Sequence, residues 1–164
     1  MKILGIDPGS RVTGYGLIEV KNQSSQLIEA GLVEVAKYPM AERLSRIFQA
    51  IEGIVQTHQP EHVAIERVFV SKNVDSALKL GQARGAALVA AANDQCAIYE
   101  YSARQIKQAV VGTGSASKAQ VQHMIRILLN LTQAPKADAA DALAVALCHS
   151  HSWQHQRRLM GSFD

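Results

Sequence analysis

Apolar residues fall in short runs at the start of the chain and at helical spacings further on. Lys2-Ile3-Leu4-Gly5-Ile6-Asp7 is an apolar run closed by Pro8-Gly9-Ser10, which predicts a buried strand and then a turn. Val12 to Val20 and Leu27 to Val35 predict two further strands, separated by the turn-like residues Asn22 to Ser25, so the chain opens as an antiparallel meander. From Ala41 to Thr57 the residues Leu44, Ile47, Phe48, Ile51, Ile54 and Val55 recur three to four apart. That spacing predicts an amphipathic helix ending before Pro60.

His62 to Glu66 and Ala97 to Tyr101 predict two more strands, with an Ala-rich helix from Asp75 to Asn93 between them. Helices are expected from Ser102 to Val111, from Ser117 to Leu131 after a Gly-Thr-Gly break, and from Asp138 to His149. Three strands in succession, then two that alternate with helices, predict an α/β fold: one mixed five-stranded sheet flanked by helices. Residues 1–149 are expected to form a single domain. The polar stretch 150–164 is expected to be a disordered tail; His149, His151 and His155, at and beyond the domain's end, are metal-capable by type but have no acids nearby and read as part of that tail.

The length of 164 residues supports one domain with a real core, and 48% hydrophobic with 19% charged residues excludes disordered and fibrous classes. No apolar run approaches the roughly 18 residues of a membrane span. Met1 leads directly into the first strand without the form of a secretory signal, so the expected compartment is the cytoplasm. Cys96 and Cys148 lack metal-ligand spacing and read as reduced core thiols. The net charge is +3, but between Arg67 and Arg126 eight bases face three acids, leaving −2 for the rest of the chain. A basic surface suited to a polyanion is one reading, and a solvated helical surface is the other.

Asp7 and Glu66 each close an apolar strand, where a carboxylate packs poorly and can face a crevice, although a turn or exposed strand end explains either one alone. Asp138 and Asp141 are three apart in a helical sequence and share one face; locally they also fit the N-cap and third position of that helix. If the four converge, mutual repulsion would return protons to them unless cations neutralise the site. An all-oxygen set of that size favours Mg²⁺ or Mn²⁺ and suffices for two ions about 3.5–4 Å apart, the arrangement that hydrolyses phosphodiesters. Gly14 and Gly16 leave one strand face bare, open to a phosphate backbone or to close helix packing. Phe69, in the loop after Glu66, reads as a base-stacking wedge or as core. Lys107 and Lys118 bracket a Gly-rich turn that could receive a phosphate. The smooth helix from Asp75 onward can pack on a sheet or on a second copy.

Gly5 to Gly16, Ala64-Ile65-Glu66, Asp75 to Gly85 and Ala137 to Ala142 together resemble the RuvC Holliday-junction resolvases, with the right order and spacing from Lys2 to about His149. The resemblance implies an RNase H-like fold, a homodimer, and a Mg²⁺-dependent endonuclease that resolves four-way DNA junctions by paired nicks. It implies that Asp7, Glu66, Asp138 and Asp141 are catalytic and hold the metals, and that Phe69, Lys107 and Lys118 contact DNA. It also implies work alongside the RuvA and RuvB branch-migration proteins in recombination and repair.

Three other readings are to be weighed. The segment Gly5 to Gly16 is also similar to the phosphate-binding hairpin of actin-like kinases and chaperone ATPases, but those need two lobes and this length supplies one. An RNA-processing nuclease on the same fold would carry the same acids. A non-catalytic junction binder would gain nothing from four clustered charges that repel its ligand.

Overall fold

A computed structural model describes residues 1–68, 73–92 and 96–160. Its strands are β1 (Lys2–Asp7), β2 (Val12–Lys21), β3 (Ser24–Glu34), β4 (His62–Glu66) and β5 (Ala97–Tyr101). Its helices are α1 (Met40–His58), α2 (Val74–Ala92), α3 (Ala103–Val111), α4 (Lys118–Leu128) and α5 (Ala137–Met160). The strands form one sheet in the order β3-β2-β1-β4-β5. β1, β2 and β3 pair antiparallel, whereas β4 runs parallel to β1 and β5 parallel to β4. The mixed α/β sheet expected from the strand pattern is the one observed.

Period-two alternation divides the core between the sheet's faces. Leu4, Ile6, Leu17, Val63 and Ile65 point to one side and pack against Ile47, Ile51 and Val55 of α1 and Ala83, Ala87 and Ala90 of α2. Ile3, Ile18 and Ala64 point to the other side, where α3, α4 and α5 contribute Ile106, Ile125, Leu143 and Leu147. By the same alternation Asp7 and Glu66 face the α5 side.

The bare stripe on β1 and β2 is filled by α5. A Cβ at Gly5 would stand 2.0 Å from the Ala142 carbonyl oxygen, one at Gly14 2.1 Å from that of Asp138, and one at Gly16 2.5 Å from Leu143. No phosphate backbone fits where the helix backbone already lies, so the glycines serve close packing. They let α5 approach the sheet closely enough to bring its acids to the strand ends.

The expected disordered tail is corrected over most of its length, because α5, 24 residues long, runs on to Met160. Ser150 is buried, His151 Nδ1 lies 3.1 Å from the Ala109 carbonyl oxygen, and the Trp153 ring meets His62 edge-on at 4.6 Å. Polar residues there are held by partners on α3 and β4 that are remote in sequence. The helix start differs as well: the amide of Ala140 bonds the carbonyl of Lys136, so Asp138 lies in the first turn and is not the N-cap. Cys96 and Cys148 are not joined in a disulfide, and Cys148 is buried. Among the described residues no helix is long and apolar enough to cross a membrane.

Candidate active site

β1 and β4 are adjacent and parallel, with Ile6 opposite Ile65, so their ends carry Asp7 and Glu66 to the same edge of the sheet. α5 starts over that edge, and its first two turns supply Asp138 and Asp141 on one face. The carboxylate oxygens that Asp7, Asp138 and Asp141 can offer lie within 4.8 Å of one another. Glu66 stands outside that group of three but lines the same cavity as Asp7 and Asp141. The structure therefore gathers all four predicted acids.

Their electrostatics differ from those of a solvated acidic patch. Burial, reinforced by the charges of Asp141, Glu66 and Asp138 and opposed by Lys118, pushes the Asp7 carboxyl up to about 7. Glu66 is also raised, first by burial and then by Asp141, while Lys118 and Lys107 pull the other way. Four half-buried carboxylates crowded in this way exceed the neutralising charge that Lys118 and Lys107 supply. The donor set is oxygen throughout, which matches a hard divalent cation and not zinc.

The walls carry positive charge. Ser117 caps α4 by accepting from the amide of Gln120, whose side chain accepts from the amide of Ser117 in return. Lys118 opens that helix, and its Nζ lies 3.2 Å from Asp141 Oδ2. This bond, more than any other cause, raises the lysine's pKa. Lys107, on α3, lines the same cavity. Much of the remaining basic excess is paired, since Arg67 and Arg84 meet Glu100 and Lys79 meets Asp75. Phe69 lies outside the described residues.

A residue that sequence reading missed is Arg43 on α1. Its Nη1 donates to the Ser10 carbonyl at 3.0 Å, while Nε and Nη2 bond the carbonyls of Tyr38 and Ala36. It thereby pins the turn that follows Asp7. Buried Thr13 holds the other side of that turn, donating to the Gly9 carbonyl at 3.0 Å and accepting from its amide at 3.3 Å. Thr13 sits inside a recognisable motif, whereas nothing in the sequence singles out Arg43.

The family model for crossover junction endodeoxyribonuclease RuvC matches residues 3–149. A crossover junction endodeoxyribonuclease RuvC from Marinobacter nauticus is 57% identical over 157 residues, covering 96% of this chain and 90% of that protein. Among solved structures, Thermus thermophilus RuvC matches with a TM-score of 0.87 at 35% identity, covering 95% of this chain and 97% of that one. Thermus thermophilus RuvC in complex with a Holliday junction substrate matches with a TM-score of 0.86 at 34% identity, covering 94% and 96%. A match over so much of the sequence, joined to a fold that gathers the four acids, means that the chain belongs to the RuvC family of crossover junction endodeoxyribonucleases.

Proposed function

We propose that the chain resolves four-way DNA junctions by nicking two strands of like polarity, with Asp7, Glu66, Asp138 and Asp141 as its catalytic acids and metal ligands. The observation that carries this reading is the convergence of those acids beside Lys107 and Lys118. Two Mg²⁺ ions, with Mn²⁺ as a substitute, suit a set of four half-buried carboxylates. Bound there, such ions would neutralise the acids, lower the pKa of the attacking water and stabilise charge on the departing oxygen.

The chain's own residues orient the reaction. Asp7 and Glu66 approach from rigid strand ends, and Asp138 and Asp141 from a helix locked to the sheet by glycine contacts. Lys118 and Lys107 offer ammonium groups to the phosphates on either side of the scissile bond, which makes binding depend on salt. In this reading Phe69 stacks at the opened junction centre.

Paired cutting calls for two sites, and α2 supports a homodimer. Its inner face carries buried Ala83, Ala87 and Ala90, yet its outer face exposes Val74, Leu78 and Val89, with open space at Gly81 and Gly85. A helix apolar on both sides, one of them smooth and facing solvent, suits a second copy of itself. The Holliday junction bound by the Thermus thermophilus relative supports the choice of substrate. The same reading extends to work with RuvA and RuvB in the cytoplasm, which membership of the RuvC family supports.

Cleavage of a synthetic four-way junction, a linear duplex of the same sequence and an RNA duplex in Mg²⁺ tests the proposal. Selective paired nicking of the junction is expected, with the protein running as a dimer by mass. Equal cutting of linear duplex, or preference for RNA, would refute it.

A further inference from the structure

The end of β4 is held by more than its strand partners. Arg84, on α2, reaches across to donate from Nε to the Glu66 carbonyl oxygen at 3.3 Å. Its Nη2 lies 2.9 Å from Glu100 Oε2 on β5, and Arg67 Nε approaches the same oxygen at 3.7 Å. The amide of Arg67 bonds the Tyr101 carbonyl at 2.7 Å. Arg84 is the most enclosed member of this group, with 19% of its side chain exposed against 40% for Glu100 and 55% for Arg67. One guanidinium therefore ties together α2, the backbone of an acid at the site, and the neighbouring strand.

We infer that Arg84 is a positioning residue for the nuclease reaction, fixing the end of β4 and so the placement of the Glu66 carboxylate against Asp7 and Asp141. The inference rests on the reading of Glu66 as a catalytic acid. Arginine suits the task because its planar fork reaches a carbonyl and a carboxylate on different strands at once, whereas lysine offers a single point. The effect travels along one backbone: Glu66 is the last residue of β4, and its main-chain oxygen is the atom that Arg84 holds. Displacing a catalytic group by about an ångström is enough to cost up to about 10²-fold in rate. Since α2 also carries the outward apolar stripe, a second copy docked there would rest against the element that steadies Glu66.

Arg84→Met keeps the length of the side chain and removes its donors, and Arg84→Lys keeps the charge. In Arg84→Met we expect amide exchange at Glu66 and Arg67, measured without metal, to quicken about tenfold. Single-turnover cleavage of a pre-bound four-way junction is expected to slow about tenfold, with junction affinity held within about twofold. Thermal midpoint and mass are expected to stay those of the wild type, and Arg84→Lys to recover part of both losses. Wild-type exchange and cleavage in Arg84→Met would overturn the inference, as would a loss that follows the thermal midpoint and is not recovered by lysine. Should Arg84→Met not fold, Glu100→Gln carries the test, with cleavage about threefold slower and the same exchange pattern expected; unchanged values in both would overturn it. Glu66→Gln separates this inference from the reading beneath it. If Glu66→Gln cuts normally, the assignment of the site fails, whereas if it is inactive while Arg84→Met cuts at full rate, only the role of Arg84 fails.

Discussion

β4 and α5 share two clusters of wholly or partly buried titratable groups with opposite characters. At one end Glu66 meets Asp7, Asp138 and Asp141. At the other, His62 from the start of β4 meets His149, further along α5. His149 is 1% exposed, and both its ring nitrogens are hydrogen-bonded, Nε2 to His62 Nδ1 at 2.8 Å and Nδ1 to the Tyr101 hydroxyl at 2.7 Å. Tyr99 stacks on its ring at 4.2 Å between centroids. Burial, with the charge of His62 as a lesser cause, pushes His149 down to about 4 and keeps it neutral. The histidine cluster is closed and satisfied, while the acid cluster is open, charged and short of cations. Burial of ionisable groups does not by itself make a site; like charges facing a cavity without enough counter-charge do.

The largest test of that contrast is Asp7→Asn. It keeps the shape and removes one charge, so cleavage of a four-way junction is expected to fall at least about 10³-fold, or about 4 kcal/mol of transition-state stabilisation. Junction binding should survive, because Lys107, Lys118 and the surrounding surface supply the phosphate contacts. The thermal midpoint should not drop, since a repelled carboxylate has been removed. His149→Gln should behave in the reverse sense, lowering the midpoint and leaving the single-turnover rate within about twofold of the wild type. Comparable cutting by Asp7→Asn and the wild type on a gel would end the assignment.

Asp7 and Glu66 were legible in the sequence because each ends an apolar run, where period two predicts its face and strand packing gives a carboxylate no reason to be there. The sheet was legible for the same reason. The glycine stripe marked a close approach but did not say by what; the occupant, α5, is more than 120 residues further on. Nor could the polar sequence beyond His149 reveal a helix, because His149 and Trp153 find their partners on β4 and β5 only once the sheet exists. Arg43 and Arg84 belong to a residue type expected at the surface. Their acceptors are main-chain carbonyls, of Ser10 and Glu66 among others, and a carbonyl has no signature in a sequence.

A second test sets the titrations of the two clusters against each other. His149 has a folded pKa near 4, below the roughly 6.5 of an unfolded histidine, so between those values the unfolded chain binds more protons. Its contribution to stability is complete above about pH 6.5 and is lost as the pH falls toward 4, to a total of about 3 kcal/mol. His62, lowered by burial, acts in the same direction. Asp7 and Glu66 are raised and run with the opposite sign, but they are common to the wild type and His149→Gln, so the difference between those two chains cancels them. Urea denaturation of both chains from pH 7.5 to 4 should show the wild type's advantage level down to about pH 6.5 and shrinking below it. A gap that stays constant would mean that His149 is not held neutral by burial.

The smallest effect is expected at Tyr101→Phe, which removes the hydroxyl that meets His149 Nδ1 and also lies against Ser152. Loss of one partly buried hydrogen bond predicts about 1 kcal/mol of destabilisation at neutral pH. Combined with His149→Gln, the two changes should cost less than their sum, because they break the same bond. Tyr101 also sits opposite Glu66 in the sheet, so this variant asks whether the two clusters are independent. If they are, single-turnover cleavage by Tyr101→Phe equals that of the wild type while its urea midpoint falls. A rate that drops along with the midpoint would show that the satisfied cluster helps to hold the open one, and the contrast between them would have to be redrawn as one connected network along β4.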